Sequence, residues 1–320
     1  MKSMTKRISV LLLVICMIVS LALPVFAANQ PSATEIITTA SGYTSASDIT
    51  YPSSGYIANW GARGEVAKFI SAKAADYYTS SYEELSALAG SDDNTAKGTA
   101  LYNALNTMAV SQQKTLTSYD GLRDLYKYTD CVLGDTTKLS LFYMGNLVDS
   151  TWDGGTTYNR EHTWPKSKLT NEQSNDGADI MQIRPSDPSC NSSRGNTAYG
   201  ESSNYYDPGV SVRGDVARIV LYMYVRWGNE NTLWGTSGVF ESLDVLLKWN
   251  AADPVDTWEM GRNDSIQSIT GARNMFVDYP ELAYDLFNRE VPADLVTPSS
   301  FSNDSGSGDA GAEITGSKAI

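Results

Sequence analysis

Residues 150 to 212 carry Gly, Pro, Ser, Asn and Asp where the flanking stretches carry a repeating apolar pattern. Gly and Pro punctuate helices and strands, and short polar side chains compete for backbone hydrogen bonds. The segment therefore reads as mostly irregular chain, and irregular chain of that length inside a domain usually carries function. Within it, Asp179-Ile180-Met181-Gln182-Ile183-Arg184-Pro185-Ser186 reads as a short strand followed by a helix start at Ser186. Pro165 forbids a continuing helix and holds Trp164 extended. A chain with such a centre cannot be an uninterrupted helical bundle. It is expected to adopt a mixed α+β fold, mainly helical, with a small β-ribbon-plus-helix unit between 150 and 212.

On either side of this segment the period is helical. Val66, Phe69 and Ile70 share a face, as do Leu101, Leu105 and Met108, and Leu122, Leu125 and Tyr126. Val216, Ile219, Val220, Met223 and Trp227 form a stripe that predicts a helix over 213–227. Residues 245–249, 258–266 and 279–287 read as further helices, and 138–148 as more strand-like.

The ends read differently. Lys2, Lys6 and Arg7 precede an apolar run from Ile8 to Leu23, and Val25-Phe26-Ala27 follows. That order is a secretory signal, expected over residues 1–27 and cut after Ala27. The run falls short of the ~20 apolar residues of a bilayer span. Residues 28–55 are expected to be a loose lead-in, 56–295 one folded domain, and 296–320 a disordered tail. The expectation is a secreted monomer with no membrane attachment after cleavage.

Removing the signal takes away three of 24 basic residues and none of 37 acidic ones, which leaves a formal charge of −16. Taken alone, that opposes nucleic-acid binding, because phosphate contacts come from Lys and Arg. Cys131 and Cys190 would remain, and in an oxidising compartment they are either a disulfide or two free thiols.

One histidine in 320 residues excludes much chemistry. A His-Glu-x-x-His zinc site, a two-histidine iron site and a histidine acid–base pair all need two. A Ser-His-Asp triad needs one, but a Gly-x-Ser-x-Gly elbow is missing. What survives is His162 acting alone as a base, with a nucleophile or a metal as its partner. Glu161 and His162 would leave a regular strand on opposite sides, and could serve one site only where the strand ends or bends.

Asn159-Arg160-Glu161-His162-Thr163-Trp164-Pro165-Lys166-Ser167, the strand motif ending Ile183-Arg184-Pro185-Ser186, and Asn191-Ser192-Ser193-Arg194-Gly195-Asn196 resemble the endonuclease I family of secreted and periplasmic nucleases. The likeness continues through Arg213-Gly214-Asp215-Val216-Ala217-Arg218, Asp253-Pro254-Val255-Asp256, Glu259, Arg262-Asn263 and Arg273-Asn274. It reaches back to Tyr128-Thr129-Asp130, so it spans residues 60 to 290. The resemblance implies a ββα-metal (His-Me) finger active site, with His162 as general base and Glu161 and Asn191 as protein ligands of one divalent metal ion. It also implies cleavage of DNA, often of RNA too, with little sequence preference and 5′-phosphate products. Two hard oxygen ligands suit Mg²⁺, with Mn²⁺ and Ca²⁺ as alternatives. A neutral imidazole, with an ordinary pKa near ~6.5, can take a proton from water.

Other roles stay open for these residues. Glu161 could pair with Arg160 or Lys166 at the surface, Asn191 could cap a helix, and Asn196 could be the ligand in its place. The chain could also be a catalytically inactive secreted binding protein with the same fold, or an esterase of other phosphodiesters. Some family members carry an arginine after the His motif that steadies the leaving group. Here Thr163 to Ala178 holds only Lys166 and Lys168, so Arg184 and Arg194 are the expected substitutes. Arg160, Lys166, Asn196 and Arg218 are expected to contact substrate. With eight basic and eight acidic residues between Tyr158 and Arg226, the basic ones are expected to gather into a locally positive groove on an acidic body.

Overall fold

Arg213–Trp227 is apolar around most of its circumference, so the helix it forms has to be covered on every side. The computed structural model describes Tyr77 and residues 94–132, 135–228 and 233–296. In chain order the elements are α1 (Asn94–Gln112), α2 (Leu122–Thr129), β1 (Cys131–Val132), β2 (Asp135–Ser140), β3 (Leu147–Asp149), β4 (Asn159–His162) and β5 (Ile183–Ser186). Then come α3 (Pro188–Arg194), α4 (Arg213–Trp227), α5 (Leu243–Ala252), α6 (Thr257–Thr270), α7 (Met275–Asp278) and α8 (Leu282–Leu286). Helix α4 is buried from Gly214 to Val225, packed against α1, α5 and α7. The expected signal, the lead-in, the Val66-Phe69-Ile70 stripe and the tail from Thr297 lie outside the described residues. Among the described residues, no helix is long and apolar enough to cross a membrane.

Two small antiparallel sheets sit beside the helices, β1-β2-β3 and β4-β5. Residues 138–148 are a hairpin rather than one strand: Tyr143 and Gly145 take φ of 71° and 65°, and the chain reverses so that Ser140 pairs with Leu147. The Phe142 N–H donates to the Pro185 carbonyl at 2.8 Å, which ties this hairpin to β5. Residues 279–287 also break, because Pro280 has no N–H to donate; α7 stops at Asp278 and α8 starts at Leu282. Cys131 and Cys190 do not form a disulfide.

Buried ion pairs lock the helices to the ribbon. Asp130, at the end of α2, accepts from Arg184 Nε at 2.6 Å and from Arg262 Nε at 3.1 Å. Arg262 also donates to the carbonyls of Ile180 and Met181, at 2.6 and 3.1 Å, and so fixes the approach to β5. Arg184 lies between the Phe142 and Trp258 rings, 4.3 and 4.7 Å away. It is a scaffold residue, not the expected partner of a leaving group, because its charge is spent on Asp130 out of reach of solvent. Arg218 is corrected in the same way. It is fully buried, held by Glu259 at 2.7 Å and by the Asp253 carbonyl at 2.9 Å, and cannot touch a substrate.

Candidate active site

The ribbon and helix form one unit. Strand β4 pairs with β5 in the register Glu161↔Arg184 and His162↔Ile183, and α3 follows β5 directly. Helix α3 starts where the sequence makes it start. Asp187 accepts from the backbone N–H groups of Ser189 and Cys190, at 2.8 and 3.1 Å, and Pro188 fills the first turn. Gly195, at φ 56°, ends the helix. The cap is thus Asp187, and Asn191 lies within the helix.

Alternation along β4 sorts the side chains into two sets. Asn159 and Glu161 face α3. The Asn191 Nδ2 group donates to Asn159 Oδ1 at 2.7 Å and to the Arg160 carbonyl at 3.3 Å, which seats it against β4. Arg160 and His162 share the other face, where the Tyr119 ring meets both. Strand β4 ends at His162.

Glu161 is buried. Its Oε1 accepts from Tyr143 Oη at 2.6 Å and lies 3.3 Å from Arg194 Nη1. Burial raises its carboxyl above the usual carboxylate range, and the Arg194 guanidinium and the two tyrosine hydroxyls oppose that rise. Arg194 is buried as well, and donates to the carbonyls of His162 and Thr163 at 2.8 and 2.7 Å. It holds the backbone of 162–163 and the Glu161 charge from within. Lys166 pairs with Glu172 at 3.2 Å, so neither Lys166 nor Arg160 is the partner of Glu161.

A built loop holds His162. Asp176 accepts from the backbone N–H groups of Thr170 and Asn171, at 2.7 and 3.0 Å. Gln182 Nε2 donates to the Asp176 carbonyl at 2.8 Å. This presents the Gly177 carbonyl to His162 Nε2 at 3.2 Å. A carbonyl only accepts, so Nε2 carries the proton and Nδ1 keeps the lone pair. A side chain at 177 would collide with the backbone of Asn171 and Glu172, so only glycine lets the loop close this tightly. Burial pushes the imidazole down to about 4, so it is neutral at neutral pH.

The donors present fit a hard cation. Glu161 Oε2 and Asn191 Oδ1 have no hydrogen-bond partner among the described residues, whereas the other polar atom of each side chain is committed. Among the described residues, no group of three or more His, Cys, Asp or Glu is arranged to hold a metal ion. A cation here would rest on one carboxylate and one amide oxygen, leaving positions for water and phosphate. Asn196, the alternative ligand, is exposed beyond α3, and its Oδ1 accepts from the Ser167 N–H at 3.4 Å. The structure brings Asn191, not Asn196, against β4.

Four residues around the site escaped the sequence reading: Tyr119, Tyr143, Gly177 and Tyr199. Only Gly177 left a trace, as one of several glycines in an irregular stretch. The positive groove is corrected too. Arg184, Arg194 and Arg218 are buried in ion pairs, and Arg213 is bound to Asp207 at 2.5 Å.

The family model for Endonuclease I matches residues 92–207 and 201–281. An extracellular ribonuclease of Bacillus amyloliquefaciens is 34% identical over 217 residues, taking in 59% of this chain and 74% of the relative. An extracellular ribonuclease of Bacillus subtilis (strain 168) is 34% identical over 200 residues, 54% of this chain and 69% of the relative. No solved structure gives a significant match.

Proposed function

We propose that this chain, which belongs to the Endonuclease I family and is a nuclease, is a secreted, metal-dependent endonuclease that hydrolyses DNA and RNA with little sequence preference. The observation that carries the reading is the seat of Asn191. Its nitrogen is tied to β4, the strand that also carries Glu161 and His162, and this leaves its oxygen available to a cation. The names of the two relatives support RNA as a substrate and an extracellular site of action.

Glu161 and Asn191 would hold one divalent ion, Mg²⁺ first. When bound, it would supply positive charge to offset what develops on the phosphate oxygens. His162 Nδ1 takes the proton of the attacking water, whose oxygen bonds to phosphorus as the P–O3′ bond breaks; the 3′ oxygen leaves with a proton from solvent, giving a 5′-phosphate end and a 3′-hydroxyl. The Gly177 carbonyl holds the ring in its tautomer and steadies the imidazolium as it forms. Lys166, 39% exposed, would meet a phosphate by exchanging its Glu172 partner, 3.2 Å away, for the substrate.

The test is cleavage of plasmid DNA and of a long RNA, with Mg²⁺ and with EDTA, by the wild type and by His162→Ala. The wild type should cut and EDTA should stop it. His162→Ala should lose at least about a hundredfold in rate, the low end for a general base, while Mn²⁺ binding measured by calorimetry persists. Full activity in His162→Ala would overturn the assignment. A folded wild type that binds nucleic acid without cutting it would instead be a binding protein.

A further inference from the structure

Flat side chains form a ladder that begins on His162 and runs outward. The Tyr119 ring stacks on the imidazole, with centroids 5.6 Å apart and planes 26° apart. The Arg160 guanidinium lies 3.7 Å over Tyr119 and 5.3 Å from the Trp152 ring. Arg123 closes the ladder, 5.8 Å over Trp152. Exposure rises along it: the His162 residue is 5% exposed, Tyr119 and Trp152 are half-buried, and the Arg123 side chain is 34% exposed. The rungs are braced. Arg160 Nη1 donates to the Tyr119 carbonyl at 2.7 Å, and both arginines lie within 3.7 Å of Asp120.

The cations that a phosphate-tracking groove would need are committed elsewhere, in the buried pairs of Arg184, Arg194 and Arg218. The whole chain carries a formal charge of −13. Phosphate neutralisation is therefore a weak source of affinity here. Stacking does not suffer from an acidic body, because aromatic rings and guanidinium planes take the π-face of any base. In a duplex those faces are covered by neighbouring bases, whereas an unpaired base can offer one.

We propose that Arg160 and Trp152, seated outward of Tyr119, form a stacking platform for unpaired bases beside the cleaved phosphate, and that single-stranded nucleic acid is the preferred substrate. The inference rests on the nuclease reading and deepens it. Tyr119 is the inner rung: its ring stacks on the imidazole and carries the Arg160 guanidinium, so it ties the outer rungs to His162. A base stacked on those outer rungs is registered against His162 without any contact to its edge, which makes the selection one of strandedness and not of sequence.

The test uses one labelled oligonucleotide, as RNA and as DNA, alone or annealed to its complement. Affinity is read by fluorescence anisotropy in EDTA, and kcat/KM with Mg²⁺. The wild type should bind and cut the single strand in preference to the duplex, with a shallow dependence on salt. Trp152→Ala should weaken single-strand binding about tenfold and pull the single-strand-to-duplex ratio toward one, and Trp152→Phe should restore it. If Trp152→Ala does not fold, Trp152→Leu keeps bulk without a stacking face and decides the matter. A wild type that cuts duplex as readily, or a folded variant whose ratio is unchanged, overturns the platform while leaving the nuclease reading intact. A wild type that cuts neither substrate overturns both.

Discussion

Glu161 and Arg194 face each other at 3.3 Å, with 1% of each side chain exposed. Removing one partner of such a pair leaves a charge out of water, at a cost of about 3–5 kcal/mol. Arg194→Ala should lower stability by about that amount in urea unfolding. Arg194→Lys should recover only part, because one ammonium cannot span the Glu161 carboxylate and the carbonyls of His162 and Thr163 as a planar fork does. A loss below about 1 kcal/mol in the alanine variant would place it with ordinary surface pairs.

Gly177→Ala forces the loop away from Asn171 and so moves the carbonyl that His162 Nε2 reaches. Misplacing a catalytic group by an ångström costs about a hundredfold in rate. The expected result is a kcat about a hundred times lower with KM nearly unchanged. A large change in KM alone would mean that the loop serves binding.

Asp187 gives a pH prediction. The Ser189 hydroxyl and the backbone N–H of Cys190 hold its carboxyl below the usual carboxylate range. A group whose folded pKa is depressed stabilises above its unfolded value, ~3.9 for Asp, and loses that contribution as pH falls through the folded value. Asp187→Ala should cost about 1 kcal/mol at neutral pH. The gap from wild type should stay constant down to about pH 4 and narrow below it. A gap that widens in acid would contradict the assigned cap.

Metal removal should separate fold from chemistry. The core around α4 and the buried ion pairs are built entirely from protein groups. EDTA is expected to stop cleavage while leaving the far-UV circular dichroism spectrum unchanged. Bound ion should raise the melting temperature only slightly, as mass action on one weak site dictates. Global unfolding in EDTA would show that the ion is structural.

The helices were legible because their apolar positions repeat; 213–227 was predicted as the structure has it. The strand-then-helix order at β5 and α3 was legible, but its boundary was set at Ser186, which ends β5; Asp187 caps a helix that starts at Pro188. The reversal within 138–148 was hidden because Phe142 and Tyr143 keep a strand-like composition across a turn in which Tyr143 takes positive φ. At the site, Glu161, His162 and Asn191 stood out through their motifs. What the sequence could not separate was arginine in a groove from arginine in the interior. The partners that bury Arg184 and Arg218, Asp130 and Glu259, lie 54 and 41 positions away. Tyr119 was missed for the same reason, since it meets His162 only through tertiary packing.

The contact between the Phe142 N–H and the Pro185 carbonyl bears on how the molecule would tolerate a cut chain. Residues 151–157 bulge outward between β3 and β4, with Thr151, Asp153, Gly154, Thr156 and Thr157 exposed. Proteolysis there would sever the polypeptide but none of the links through Pro185, Asp130 and α1 that join the halves. The two fragments would remain a nicked complex with β4 still paired to β5.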